Sequence, residues 1–248
     1  MSPVSSYRDA ESIFNHHSWN ACLHREIVSR FRYSTAMTRA QFLRNVLFVE
    51  GGLLVIGIAL AYFSGLWELF QFSWTPFAVI AGLVWTIPLV VVYEILDRFP
   101  FAGFREIRDF LLNTLGPVLS QMRWFEILWV SILAGLGEEI LFRGLIQTQL
   151  EVLGWSKPAV WLTTSLAFGL MHPITVWYVV LTGIAGCYFS FLLDVTGERN
   201  LVVPIVTHAA YDFVAFMLVA NHVSRMQRTV AETEHQTPMV DDDATGND

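Results

Sequence analysis

Long apolar segments alternate with short polar connections along most of the chain. A membrane-spanning helix needs about 20 predominantly apolar residues, and six segments approach or reach that length. They lie at Val46–Trp67, Pro76–Leu96, Phe125–Leu150, Pro158–Met171, Ile174–Asp194 and Leu201–Asn221. The pattern predicts an all-α protein, a polytopic transmembrane helical bundle of about six spans.

The connection between the second and third spans has its own pattern. Its sequence, FREIRDFLLNTLGPVLSQMRW, alternates basic with apolar residues and predicts an interfacial amphipathic helix broken at Gly116-Pro117. Three regions follow from these assignments. Residues 1–45 form a polar segment, 46–221 a membrane-embedded domain, and 222–248 a polar, acidic tail that we expect to be disordered.

Composition supports a membrane protein. Hydrophobic residues make up 54% of the chain and charged residues 15%, whereas soluble proteins average about 25% charged residues. The net charge of −7 owes much to four aspartates in the C-terminal DDDATGND, and no basic patch indicates nucleic-acid binding. Cys22 and Cys187 do not indicate a disulfide framework.

The distribution of Lys and Arg predicts the orientation. Twelve of the fifteen lie in the N-terminal segment, the 97–123 loop and the C-terminal tail, whereas the alternate loops hold only Lys157 and Arg199. By the positive-inside rule, both termini face the cytoplasm of a multi-pass protein in the cell membrane. The first forty residues lack an apolar core, so we expect no cleavable signal peptide.

Six ionisable residues lie inside the predicted spans. Such groups are costly at membrane depth, usually face a bundle interior or a water-filled cavity, and are functional candidates by default. They are Glu138, Glu139 and Arg143 in the third span, His172 at the end of the fourth, and His208 and Asp212 in the sixth.

The spacing of these residues suggests different roles. Glu139 and Arg143 are four apart, so they share a helical face and can form an ion pair that braces the helix. Glu138 has no such local partner, and an unpaired carboxylate in an apolar site is suited to act as a general base. His208 and Asp212 are also four apart, so Asp212 can hold the imidazole in one tautomer.

Together these helices supply a carboxylate and two imidazoles, the groups that a hydrolytic site uses with or without zinc. If zinc or another divalent metal binds, the candidate ligands are Glu138, His172, His208 and Asp212.

Each feature also has a structural interpretation, as a buried strut or a helix cap. Glu50 and Glu94 lie near span ends and are interpreted as structural. Three glycines of the third span are predicted to let neighbouring helices approach closely: Gly135, Gly137 and Gly144.

Three motifs in this order resemble one family. EEILFR at 138–143, FGLMH at 168–172 and HAAYD at 208–212 resemble the EExxxR, FxxxH and HxxxN/D motifs of the CAAX protease and bacteriocin-processing family of intramembrane endopeptidases, also called the Abi family. The resemblance covers about 125–215 and implies that the membrane-embedded domain, 46–221, is protease-like. It implies that Glu138 and His172 activate the attacking water, and that His208 and Asp212 hold the oxyanion or help to bind a metal.

The sequence departs from the family's eukaryotic prenyl-protein-processing members at two points. Those members have Asn where this chain has Asp212, and an ionised Asp cannot donate a hydrogen bond to an oxyanion. Asp212 therefore orients His208, binds a metal or is protonated. Those members also have more spans, so a CAAX substrate does not follow.

The leading hypothesis is an intramembrane endopeptidase that hydrolyses a peptide bond of a membrane-associated protein or peptide. One alternative is a non-catalytic scaffold or bacteriocin-immunity protein of the same family. Another is a proton-coupled carrier, because Glu and His chains also relay protons across membranes. Against a carrier, the six spans show no inverted repeat and the polar residues cluster in the second half of the chain.

Overall fold

The computed structural model describes residues 37–236, and every element within that range is helical. The prediction of an all-α protein is therefore confirmed. Predictions that concern residues 1–36 and 237–248 lie outside the described residues.

Seven main helices follow one another along the chain. They are α1 Arg39–Phe63, α2 Pro76–Arg98, α3 Ala102–Phe110, α4 Trp124–Glu139, α5 Lys157–Leu170, α6 Val176–Leu192 and α7 Val202–Gln236. A short 3₁₀ turn, Trp67–Leu69, lies between α1 and α2. Helix α4 continues without a break as a π-helix, Ile140–Gln147, and then as a short α-helix, Thr148–Val152.

Three helices are long and apolar enough to cross a membrane: α1, α2 and the Val202–Thr233 part of α7. Helix α6 is apolar but shorter, at 17 residues. The third predicted span is the continuous helix from Trp124 to Val152, which changes from α to π geometry at its charged centre. Helices of this length and composition are those of a membrane protein, and the count of six spans stays a prediction.

Two predicted boundaries differ from the structure. Helix α1 begins at Arg39, before the predicted start at Val46, because Thr38 caps it and accepts a hydrogen bond from the Gln41 backbone N–H. Helix α7 continues to Gln236, so the prediction of a disordered tail is wrong for residues 222–236. Adding residues to an existing helix costs little, and a polar sequence can therefore continue an apolar helix into solvent.

The amphipathic segment is not interrupted at Gly116-Pro117 as predicted. Helix α3 passes into a π-helical turn, Leu111–Leu115, and then into a short α-helix, Gly116–Leu119. The Gly116 N–H bonds to the Leu111 carbonyl. Pro117 falls at the start of the short helix, where its missing N–H does little harm.

Glycines lie where the helices cross most closely. A Cβ added at Gly137 would lie 2.7 Å from the Glu50 carbonyl oxygen of α1, and one at Gly135 would lie 3.0 Å from the Ile205 carbonyl oxygen of α7. The predicted role of these glycines in close helix approach is therefore confirmed. Gly144 differs, because it faces the ring of Phe70 in the connection between α1 and α2. These crossings hold α4 between α1 and α7.

Candidate active site

Glu138, His172 and His208 lie side by side although they come from separate parts of the chain. Glu138 is near the end of α4, His172 is in the turn after α5, and His208 is on α7. Glu138 Oε1 is 3.8 Å from His172 Nε2, and Glu138 Oε2 is 3.9 Å from His208 Nε2. These separations exceed a direct hydrogen bond, so the carboxylate faces both imidazoles without binding either.

Both histidines present the same ring nitrogen to Glu138. Nδ1 of His172 lies 2.9 Å from the Phe168 carbonyl oxygen, which can only accept, so Nδ1 carries the proton. Nδ1 of His208 lies 2.8 Å from Oε1 of Glu139. In each case a partner on Nδ1 fixes the ring and directs Nε2 towards Glu138.

Glu139 and Arg143 form the predicted ion pair, and both side chains are completely buried. Arg143 Nη1 is 3.1 Å from Glu139 Oε1, and Arg143 Nη2 donates to the Gly186 carbonyl oxygen at 2.9 Å. The same Glu139 oxygen accepts from His208, a contact that links α4 to α7 across 69 residues of sequence. Local spacing identified the ion pair but carried no signal for the contact with His208.

Asp212 is on the other side of the His208 ring from Glu139. Its Oδ2 lies 3.6 Å from His208 Nε2, the nitrogen that also faces Glu138. The carboxylate within hydrogen-bond distance of the His208 ring is therefore Glu139, whereas Asp212 makes only the longer contact. Asp212 instead faces the space between the imidazoles and Glu138.

Three phenylalanines surround the buried pair. The Arg143 guanidinium carbon lies 4.5 Å from the centre of the Phe168 ring and 5.3 Å from that of Phe189. The third ring, Phe142, packs edge-to-face on Phe168 at 5.1 Å. Phe189 also stacks on His208, with ring centres 4.7 Å apart and an angle of 9°. The rings exclude water behind the site and fix the plane of His208. Of these three, only Phe168 is a defined position of a motif that the sequence indicated, because Phe142 falls at a variable position of EExxxR and Phe189 lies outside the motifs.

The site is open on one side. The side chains of Glu138 and His208 are 10% and 7% exposed, whereas those of His172 and Asp212 are 24% and 18% exposed. The more exposed side of the site is therefore the one formed by His172 and Asp212. The opposite side is formed by Glu139 and Arg143, whose side chains are completely buried.

Glu50 lies beside this group, although the sequence analysis interpreted it as structural. Its Oε2 atom is buried and makes no hydrogen bond, and its charge interacts with those of His208 and Asp212. Glu94, interpreted in the same way, instead pairs with the exposed Arg98 at 2.7 Å. Both residues lie near the end of a predicted span, so their positions in the sequence did not show that only Glu50 is near the site. Glu50 is near it because α1 crosses α4 closely at Gly137.

Metal binding at this site stays a prediction. Among the described residues, no three or more His, Cys, Asp and Glu side chains form a group that could hold a metal ion. Glu138, His172, His208 and Asp212 supply suitable donor atoms, but no step proposed below passes through a metal.

The comparisons with known proteins agree with the motifs. Residues 120–214 match the family model described as Type II CAAX prenyl endopeptidase Rce1-like. This range contains all six ionisable residues singled out in the spans. No curated protein and no solved structure matches the chain. The family match confirms the resemblance to the CAAX protease and bacteriocin-processing family, a family of intramembrane endopeptidases.

Proposed function

We propose that the protein is an intramembrane endopeptidase in which Glu138 and His172 activate a water molecule. The observation that carries this proposal is that one carboxylate faces the Nε2 atoms of two histidines at 3.8 and 3.9 Å. The Nδ1 atom of each imidazole is fixed by a hydrogen-bond partner, the Phe168 carbonyl oxygen for His172 and Glu139 for His208. Such supporting contacts keep catalytic side chains in a productive geometry.

The first step forms the new C–O bond. A water molecule between Glu138 and His172 gives one proton to the Glu138 carboxylate and directs its other O–H to His172 Nε2. Its oxygen attacks the scissile carbonyl carbon, and the C=O electron pair moves to the carbonyl oxygen. General-base assistance of this kind contributes about 10²- to 10⁴-fold to a rate.

We assign to His208 the stabilisation of the resulting oxyanion. Oxygens of Glu139, Asp212 and Glu138 lie 2.8, 3.6 and 3.9 Å from its ring nitrogens, and three nearby carboxylates favour the imidazolium. In that form Nε2–H donates into the site while Nδ1–H stays on Glu139. A charged donor aimed at the developing oxyanion lowers the barrier.

The second step breaks the C–N bond. Glu138 returns its proton to the leaving amine nitrogen, the oxyanion electrons re-form C=O, and the products are a carboxylic acid and an amine. Glu138 is then a carboxylate again. The cycle needs one water and no other reactant.

The substrate that we propose is a membrane-associated peptide or protein, with the lipid bilayer as its second partner. The matched family model names CAAX prenyl endopeptidases, so prenylated and unprenylated versions of one peptide belong in the same assay. We further propose that both termini face the cytoplasm and that the protein resides in the cell membrane.

The test compares membranes from cells that express the parent, Glu138→Gln or Glu94→Gln. Peptide N-termini newly generated in the membrane fraction are identified by mass spectrometry. We expect one set to appear with the parent and with Glu94→Gln and to be missing with Glu138→Gln. Purified protein in lipid nanodiscs should then cleave peptides that span those sites. Folded Glu138→Gln with full activity would refute the role of Glu138.

A scaffold, an immunity protein and a proton-coupled carrier remain the alternative proposals. None of them requires two histidines to present Nε2 to one carboxylate, so the geometry favours hydrolysis. They become the preferred explanations if the parent and Glu138→Gln release identical sets of peptides.

A further inference from the structure

Phe189 lies flat against the imidazole of His208, although it belongs to none of the three motifs. It is on α6 and is 2% exposed. The two ring centres are 4.7 Å apart and the ring planes differ by 9°, so the rings are stacked. Phe168 meets the same imidazole edge-to-face, at 6.0 Å and 74°. Phe189 therefore provides the flat surface against which the imidazole lies.

The hydrogen bond to Glu139 does not by itself fix the plane of His208. It holds Nδ1 at 2.8 Å from the Glu139 oxygen, but hydrogen bonds tolerate about 30° of misalignment, so the ring can tilt about Nδ1. Nε2 is the ring atom that faces Glu138, at 3.9 Å, and it moves when the ring tilts. Stacking on Phe189 opposes this tilt, because a tilted imidazole would press into the phenyl ring on one side and lose contact on the other.

We propose that Phe189 is a positioning residue whose ring holds the plane of His208, so that Nε2 points at the oxyanion formed during hydrolysis. The proposal rests on the proposed function, because it concerns the group to which oxyanion stabilisation is assigned. Phe189 is buried and acts only through His208. The direction of Nε2 matters most when the oxyanion forms, so loss of the stacked ring should slow the chemical step and leave substrate binding unchanged.

Phe142 offers a matched control in the same cluster of rings. It is 3% exposed, so it is as buried as Phe189. Both rings pack edge-to-face on Phe168. The Arg143 guanidinium carbon lies 5.9 Å from the centre of the Phe142 ring and 5.3 Å from that of Phe189. A change to Leu at either position therefore removes similar packing, and only the change at Phe189 removes the stack on His208.

The experiment measures kcat and KM of purified protein in nanodiscs on one peptide identified as above, and stability by unfolding in SDS. We expect Phe189→Leu to lower kcat roughly ten- to a hundredfold with KM unchanged, because misplacing a catalytic group by about 1 Å can cost about a hundredfold. Phe142→Leu should lose similar stability and much less kcat.

Phe189→Tyr keeps the aromatic face, so it should retain more kcat than Phe189→Leu even if its added hydroxyl lowers stability. Equal losses of kcat in Phe189→Leu and Phe142→Leu, or no advantage of Tyr over Leu at position 189, would overturn the proposal. If Phe189→Leu does not fold, Phe189→Met takes its place, because the flexible Met side chain fills irregular space without providing a flat ring.

A second readout does not depend on activity. In protein with isotope-labelled histidine, the NMR signal of the His208 Nδ1–H proton is assigned by its loss in His208→Gln. We expect this proton to exchange slowly with water in the parent and in Phe142→Leu, and faster in Phe189→Leu, where the ring can tilt away from Glu139. Unchanged exchange in Phe189→Leu would overturn the proposal. If the parent cleaves nothing while Phe189→Leu speeds the exchange, the proposed function fails and the positioning of His208 by Phe189 stands.

Discussion

Glu139→Gln tests how the buried network supports the catalytic group. The substitution removes the negative charge from a completely buried pair and leaves the Arg143 guanidinium without its counter-charge. Breaking a buried ion pair by removing one partner costs about 3–5 kcal/mol. Cation–π contacts with Phe168 and Phe189 remain, so we expect a loss near the lower end of that range.

The same change also disturbs His208. Arg143 and His208 both bond to Oε1 of Glu139, so an amide oxygen in that place would still accept from them, but more weakly because it carries no charge. The amide NH₂ would take the place of Oε2, which is buried without a hydrogen-bond partner. Glu139→Gln should therefore reduce activity as well as stability. The double variant Glu139→Met/Arg143→Leu separates these effects, because well-packed apolar residues often replace a buried ion pair without loss of stability.

Unfolding in mixed micelles with increasing SDS measures the stabilities, and peptide cleavage measures the activities. We expect the double variant to recover much of the stability lost by Glu139→Gln and to stay inactive, because His208 has lost its acceptor. Glu94→Gln provides the control for a change of the same type at an exposed pair. A Glu139→Gln protein as stable as the parent, or a fully active double variant, would refute the reasoning.

Three further changes test separate parts of the site. Gly137→Ala should lower thermal stability and activity because its Cβ would lie 2.7 Å from a backbone oxygen, whereas Gly52→Ala, with open space around it, should do neither in the same melting and cleavage assays. Asp212→Asn should keep kcat within about tenfold of the parent, because the amide can donate to the oxyanion that a carboxylate repels while Glu139 and Glu138 still favour the His208 imidazolium; a larger loss of kcat in folded protein would contradict this. Removing metals with a chelator should leave cleavage unchanged, and a loss that zinc restores would show that a metal is required.

Most of the helices were predictable from the sequence because each one is a local pattern. Helix α2 illustrates this, since the predicted segment Pro76–Leu96 and the observed helix Pro76–Arg98 nearly coincide. Thr75 caps its first turn and Pro76 is pre-organised for the first helical position. The end of α7 was not predictable in this way, because the apolar pattern stops near Asn221 while the helix continues.

The site was only partly predictable because its decisive contacts join distant segments. The i to i+4 spacing predicted the pair of Glu139 and Arg143, but it also suggested a contact in which Asp212 holds the His208 imidazole in one tautomer. The structure assigns that contact to Glu139. The i to i+4 spacing identifies neighbours within one helix only. It could therefore identify Asp212, on the same helix as His208, but not Glu139, which lies on α4. The position of Glu50 was missed for the same reason.

Glu138 and Glu139 show how adjacent, chemically identical residues acquire different roles. Successive side chains on an α-helix point about 100° apart, so the two carboxylates reach opposite nitrogens of the same His208 ring. Glu139 lies on the Nδ1 side with Arg143 and is completely buried, whereas Glu138 lies on the Nε2 side, where His172 and the opening are. The change to π geometry begins directly after Glu139, at Ile140, and such irregular turns are frequent at functional sites. In the proposed reaction, the pair of glutamates therefore provides a fixed support and a base at one imidazole.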